Sequence, residues 1–414
     1  MRALYTVVLR LALPFILARL WLRGRKEPGY RQSVGERFGV YRGEKPEKLV
    51  WVHAVSVGEA RAAAPLVRGL MARLPDHQML VTCTTAAGRD TLQQVYGDSI
   101  LSAYLPYDYP EAVQAFLAHF SPRLGILMET EVWPNLLAAC ASRGVPVVLA
   151  NARLSEKSAR GYLRFRSLAE PAFASLALVC AQSDADASRL RSVGARRVEV
   201  TGNLKFDVGP DAEKLAAGRA WRAALGRPVL LLASTREKEE VLLLDQIPRD
   251  DKLLVVVVPR HPQRFDEVAP LAQSRRTSQP MPAPEHRVHL GDTMGEMPFY
   301  YAACDVALIG GSFMPLGGQN LIEALAAGAP VITGPHMFNF AEATRLALEA
   351  GAAVQAGDAA SAMKRAAGLL RDARERRHMS EAGRKLCQAH RGATERHLAL
   401  IGAVMNGATV PARG

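Results

Sequence analysis

The chain reads as an α/β protein: two doubly wound parallel-sheet domains with a ligand cleft between them, behind an N-terminal membrane-anchor helix. Three observations predict this. Short apolar runs alternate with segments whose apolar residues recur at i, i+3, i+4, the pattern of strands buried on both faces between helices. The alternation pauses once, at Gly202–Arg227, where Pro210, Gly218, Gly226 and mixed charges read as a linker. The chain opens on a long apolar stretch closed by basic residues, and its 414 residues exceed one ordinary core. The expected division is an anchor over residues 1–30 and α/β domains over 31–209 and 210–414.

Ala3–Leu22 is mostly apolar, interrupted by Arg10, Pro14 and Arg19 and followed by Arg23, Arg25, Lys26 and Arg31. A span needs about twenty apolar residues, so the length permits crossing, but two internal arginines are costly in lipid. Arg10 and Arg19 fall on opposite faces of a helix, so no clean amphipathic stripe is expected. No small-residue cleavage site follows, which argues against a secreted precursor. The expectation is an anchor, shallow or spanning, whose basic cluster keeps the body cytoplasmic.

Strands are expected at Leu49–Ala54, Met79–Thr84, Leu101–Tyr104, Leu124–Met128, Val147–Ala150, Ala177–Ala181 and Val198–Thr201, with helices such as Ala60–Arg73 and Trp133–Ala141 between them. After the pause they resume at Val229–Ala233, Leu253–Val258, Arg287–Leu290, Val306–Ile309, Val331–Thr333 and Ala353–Gln355. A last long helical region covers Glu375–Met405.

A hydrophobic content of 49% with 22% charged residues is that of a folded globular protein. The net charge of +12 comes without an RNA-module signature, zinc-finger spacing or interleaved aromatics, so nucleic acid is not the expected partner. A membrane surface or a phosphate-bearing substrate suits it, as does a generally basic solvated surface. Cys83, Cys140, Cys180, Cys304 and Cys387 are far apart and odd in number, the pattern of buried thiols in a reducing compartment.

The most informative stretch is Gly310–Pro335, GGSFMPLGGQNLIEALAAGAPVITGP. An apolar run ends in one glycine pair, and a second pair opens a helical pattern bearing Asn320 and Glu323. Glycine lets backbone N–H groups approach a phosphate, and Glu323 is placed to accept from a ribose diol. The same segment also serves as the tight turn of any doubly wound sheet. Ser56-Val57-Gly58-Glu59 follows the first strand with capping-box spacing, Glu59 reaching back to the Ser56 N–H. The capping box is the default reading; the alternative, with Glu59 at a strand's carboxyl end, is a general base.

Thr84–Arg89 repeats the logic after the second strand, either as an anion site or as a plain cap. Glu129 and Glu131 directly follow the run Leu124–Met128, where carboxylates are costly unless paired or used. Lys205, in Gly-Asn-Leu-Lys, and Arg260 and His261, in Pro-Arg-His-Pro, bring cations to further strand ends. Asp184 and Asp186 behind Ser183 read as an acidic first helical turn rather than a metal motif. No metal-ligand spacing appears elsewhere, and His53 reads as a core histidine.

Taken in order, these stretches resemble the lipid A 3-deoxy-D-manno-octulosonic acid (Kdo) transferases of Gram-negative bacteria. The resemblance runs through GYRQSVGERFG (Gly29–Gly39), WVHAVSVGEA, METEVWPNL, NARLSEKSARGY, AQSDADASRL, GNLKFD, VPRHPQRF, GDTMGEM and GGQNLIEALAAGAPVITGP, and fades beyond about residue 340. It implies a GT-B glycosyltransferase of two Rossmann-like domains, the first binding acceptor and the second a CMP-sugar. It further implies inverting, metal-independent transfer of Kdo from CMP-Kdo to the tetraacyl lipid A precursor, without a cofactor, at the cytoplasmic face of the inner membrane. In that family the position of Glu59 is the base, and those of Glu129 and Lys205 stabilise the transition state. CMP contacts carry over to Pro259, Arg260, Met294, Gly295, Glu296, Asn320 and Glu323. The expected partners are therefore CMP-Kdo and a lipid A precursor held in the membrane.

One departure is visible. Ser234–Glu240 read STREKEE where the family usually reads STHEGEE, so Lys238 replaces a glycine. Two other readings stay open: a GT-B transferase using a UDP-sugar on another lipid acceptor, and a catalytically inactive membrane-bound nucleotide-sugar sensor.

Overall fold

The computed structural model describes residues 1–247 and 252–407. The chain divides into two compact units, Met1–Val208 together with the residues from Gly392 onward, and Gly209–Arg391.

The first unit holds a seven-stranded parallel sheet in the order β3-β2-β1-β4-β5-β6-β7. Its strands are β1 (Leu49–His53), β2 (Gln78–Cys83), β3 (Leu101–Tyr104), β4 (Leu124–Met128), β5 (Val147–Ala152), β6 (Leu178–Ala181) and β7 (Val198–Val200). Successive side chains of a strand face opposite ways. Leu49 and Trp51 therefore join the core that contains Phe116 and Phe173, while Val50 and Val52 join the one that contains Leu66 and Leu70. Burial on both faces is what makes these strands unbroken apolar runs. Trp51 packs edge-on against Phe116 with centroids 5.0 Å apart, and its indole N–H donates to Thr82 Oγ1 at 2.8 Å.

The second unit repeats the design in the order β10-β11-β9-β8-β12-β13-β14. These are β8 (Val229–Thr235), β9 (Leu254–Pro259), β10 (Ser274–Arg275), β11 (Val288–Leu290), β12 (Val306–Ile309), β13 (Val331–Thr333) and β14 (Ala353–Gln355). The β10 strand, two residues long, gives no apolar run for a sequence reading to find. Strand order reverses between β1 and β4 in one sheet and between β8 and β12 in the other. Open α/β sheets bind ligands beyond the carboxyl ends of strands at such reversals.

Three expectations change. The expected linker contains a helix, Ala212–Leu225, capped by Asp211 and ended by Gly226 at φ 63°. Gly218 within it is a packing site, because a Cβ there would lie 2.2 Å from the Phe299 carbonyl oxygen on the helix Met297–Ala303. The last helical region is two helices, Ala373–Ala389 and Ala393–Met405, parted at Gly392, whose φ is 91°.

The second of these helices belongs to the first unit, so the expected domain over 210–414 is corrected: residues from Gly392 onward return. Apolar burial drives the return, since Ala393, Leu398 and Ile401 complete the core around Leu66 and Leu70. Asp207 fixes where that helix starts, its carboxylate accepting from the N–H groups of Gly392 (2.7 Å) and Thr394 (2.5 Å).

The third change concerns the anchor. Arg2–Lys26 forms one helix, long and apolar enough by length and composition to cross a membrane. It lies along the first unit. Asn135 donates to the Thr6 hydroxyl at 3.0 Å, Tyr109 donates its hydroxyl to the Leu9 carbonyl at 2.9 Å, and Leu20 packs on Tyr30 and Ala86. Leu4, Val8, Leu11, Phe15 and Leu22 stay exposed, Phe15 at 78%. At 100° per residue these five fall on one narrow outward face, with Arg19 at its edge and Arg10 turned away to pair with Glu111. A continuous apolar strip therefore exists where opposed arginines had argued against one.

Candidate active site

In the first unit the loops after β1, β4, β5 and β7 carry the charged groups. Glu59 lies in the first turn of the helix Val57–Arg73, directly after β1. The expected capping box is absent: Ser56 makes no side-chain cap, and Glu59 Oε2 accepts instead from the Val55 N–H at 2.9 Å. This bond to Val55, two residues beyond β1, keeps the carboxylate at the strand end. Burial, and then the negative charge of Glu129, push the Glu59 pKa well above the ordinary carboxylate range.

Glu129 directly follows β4 with φ 56°, a left-handed backbone that is uncommon outside glycine. Its N–H donates to the Ala150 carbonyl at 2.9 Å, and the residue is 5% exposed. Its carboxylate accepts from Lys205 Nζ at 2.6 Å on one oxygen and from Arg153 Nε at 2.8 Å on the other. Burial works to raise its pKa, but the charges and hydrogen bonds of Lys205 and Arg153 outweigh it and hold the group ionised. Lys205 sits in the short turn Leu204–Phe206 after β7. Glu131 accepts from the Trp133 indole N–H at 2.7 Å, while burial raises its pKa.

The structure thus brings Glu59, Glu129 and Lys205 together within one unit, and adds Arg153, which the sequence reading passed over. The signal was present. Arg153 directly follows β5, as Glu129 follows β4, but the strand was read as ending at Ala150 rather than Ala152. Neighbouring carboxylates whose surroundings drive their proton affinities apart are suited to divided duties, one as proton acceptor and one as fixed charge. Around them, His53 is buried and kept neutral, and Ser183 caps its helix at Asp186, as their sequence context indicated.

In the second unit Pro259 closes β9, and Arg260 Nε donates to Gln319 Oε1 at 3.2 Å. The helix begins at Ile322, so Asn320 precedes it instead of lying one turn earlier on it. Asn320 Oδ1 accepts from the Ile322 N–H, and its amide donates to Glu323 Oε1 at 2.9 Å. Gly311, Gly317 and Gly318 all have positive φ, and a Cβ on Gly317 or Gly318 would lie 2.2 Å from Asn339 or Met337.

Several N–H groups of this loop are already engaged. Buried Glu239 accepts from Gly311 (2.6 Å) and Phe313 (3.0 Å), and the Gly318 N–H donates to the Gly311 carbonyl. Gly295, at φ 78°, turns the chain so that Glu296 accepts from the Thr293 hydroxyl and from Arg276. Met294 beside it is exposed. Among the described residues no group of three or more His, Cys, Asp or Glu side chains is arranged to hold a metal ion.

Comparison with known proteins decides the family. The chain is 48% identical to the 3-deoxy-D-manno-octulosonic acid transferase of Bordetella pertussis, over 96% of this chain and 98% of that one. It belongs to the Kdo transferase family. The enzyme of the same name from Haemophilus influenzae is 35% identical over 97% of this chain and 98% of its own. Residues 32–208 of this Kdo transferase match the family model described as 3-deoxy-D-manno-octulosonic-acid transferase (kdotransferase), and residues 273–386 match glycosyl transferases group 1. Among solved structures, Anabaena HepE in complex with UDP superposes with a TM-score of 0.61 at 16% identity, covering 87% of this chain and all of that one. That likeness is one of fold, the GT-B-type α/β architecture expected from the sequence.

Proposed function

We propose that this Kdo transferase moves Kdo from CMP-Kdo to a tetraacyl lipid A precursor, with inversion at the anomeric carbon and without a metal ion. The observation that carries the reading is the pairing of a proton-avid Glu59 with a Glu129 carboxylate held ionised by Lys205 and Arg153. An acceptor sugar hydroxyl is a poor nucleophile. Glu59 takes its proton as the hydroxyl oxygen bonds to the anomeric carbon and the bond to the CMP phosphate breaks. A single displacement of this kind inverts the configuration.

CMP-Kdo carries a phosphate and a carboxylate, so the electrostatics call for fixed cations. Lys205, whose ammonium is clamped by Glu129, supplies one that needs no reorganisation as charge develops. In the second unit we assign CMP to Pro259, Arg260, Met294, Gly295, Glu296, Asn320 and Glu323. Arg260 takes the phosphate and Glu323 the ribose diol. His261, kept neutral by burial and by the charges of Arg236 and Arg260, offers a hydrogen bond rather than a charge. No further cofactor is assigned.

The exposed apolar strip of Arg2–Lys26 fits a helix lying in the membrane surface, with its Thr6 and Leu20 side against the protein. We assign the enzyme to the cytoplasmic face of the inner membrane, where a lipid acceptor is at hand. The test is to incubate purified protein with CMP-Kdo and the lipid A precursor and weigh the product. A gain of Kdo on the lipid with release of CMP is expected; transfer from a UDP-sugar alone, or none from either, would sink the reading.

A further inference from the structure

We propose that His397, on the helix Ala393–Met405, is a positioning residue for transfer: its imidazole holds the β5 bulge that leads to Arg153 and braces the turn that carries Lys205, the two cations bound to Glu129. The inference rests on the reading of Glu129 and Lys205 given above.

The register of β5 against β6 slips between Leu149 and Ala152, which face Val179 and Ala181, so β5 carries an extra residue. Asn151 occupies this bulge in a left-handed conformation, φ 52°, and is fully buried. A bulged residue falls out of the ladder, and bulges commonly re-aim side chains beside active sites. The buried Asn151 N–H then needs a partner from elsewhere. It finds one more than 200 residues away in sequence, donating to His397 Nε2 at 3.0 Å (|i−j| = 246).

That bond settles the tautomer. Nε2 accepts, so the ring proton is on Nδ1 and donates to the Ala393 carbonyl at 2.7 Å, one turn back. The ring is wholly buried, and burial holds its pKa down at about 4, so it stays neutral and keeps this geometry near neutral pH.

The rest of Asn151 distributes the constraint. Its Oδ1 accepts from the Leu204 N–H at 3.0 Å, directly before Lys205. Its carbonyl accepts from the Gln182 amide at 2.8 Å. Two residues after Asn151 comes Arg153, bonded to Glu129. One ring thus fixes the residue that precedes Arg153 by two positions and braces the turn of Lys205, without being bonded to either cation or to Glu129.

Steady-state kinetics of the full chain test this, with wild-type transfer as the control; its absence would defeat the functional reading, not this inference. His397→Leu keeps the volume and removes the acceptor. It is expected to lower kcat roughly 10- to 100-fold, the usual effect of a small displacement at a reacting centre. The KM for CMP-Kdo should stay within about two-fold, the mark of an interaction not used in ground-state donor binding. His397→Gln sets a carbonyl oxygen near the Nε2 position and should restore most of kcat, whereas the shorter His397→Asn should not.

In a Glu129→Gln background, adding His397→Leu should cost nothing more, because the route it acts through is gone. Losses that multiply in the double variant, or Gln and Asn variants that behave alike, would overturn the proposal. Should His397→Leu fail to fold, the Gln and Asn pair decides it alone.

Discussion

At the scale of single residues, two carboxylates at adjacent strand ends of one sheet have been given opposite proton affinities. Glu59 has one backbone N–H for company, and burial raises its pKa; Glu129 has two cations and stays ionised. Glu59→Gln is expected to lower kcat by about 10²–10⁴, the usual worth of a general base, while CMP binding by calorimetry stays near wild type. A variant retaining wild-type kcat would remove Glu59 from the mechanism. As the proposed base, Glu59 works only when ionised, and its folded pKa is raised, so activity is expected to climb with pH through a limb well above the usual glutamate value of about 4.3. A kcat profile already flat at pH 5 would contradict that direction. Glu129 and Lys205 were legible as charges at strand ends, costly unless paired or used, whereas the spacing at Glu59 also suited a capping box. The positive φ of Glu129 and of Asn151 was not legible, since nothing local demands it; the sheet and its partners impose it.

Among the elements, strands declared themselves and turns did not. Strands buried on both faces leave an unbroken apolar signature, whereas the helix Ala212–Leu225 was hidden by the proline and glycines around and within it. One of those glycines is there to let another helix approach. The turn before the helix Glu239–Leu244 shows the converse. Lys238 adopts φ 72° at an exposed position where the resemblance drawn from the sequence implied a glycine. A left-handed side-chain-bearing residue costs about 1–2 kcal/mol, and glycine gives back roughly 0.5–1 of that through the freer unfolded chain. Lys238→Gly should therefore raise stability by about 0.5–1 kcal/mol, seen as a higher urea midpoint with an unchanged slope. A lower midpoint would show that the lysine side chain contributes something the turn alone does not explain.

For the whole molecule the sequence indicated two α/β units and an apolar N-terminal helix, but not that the chain comes back to its first unit. That return depends on Leu398 and Ile401 finding Leu66 and Leu70, a contact between distant segments that no local pattern encodes. Ending the chain at Arg391 uncovers that core. Losing even one buried leucine typically costs about 2–5 kcal/mol, so calorimetry should show one transition lowered by at least about 10 °C or lost, and the other kept. Two unchanged transitions would mean that the final helix is dispensable. On the outward strip of the first helix, the pair Leu11→Asp and Phe15→Asp should release the protein from anionic vesicles in a flotation assay, leaving transfer to a short-chain soluble acceptor intact. Retention on the vesicles would locate membrane contact elsewhere.

The returning helix also sets an order of events at the ribosome. Most of the first unit emerges early, yet its closing segment is synthesised after the whole second unit. Until then the bulge at Asn151 lacks the imidazole that steadies it. However early the second unit folds, the first is therefore complete only once the helix Ala393–Met405 has been made.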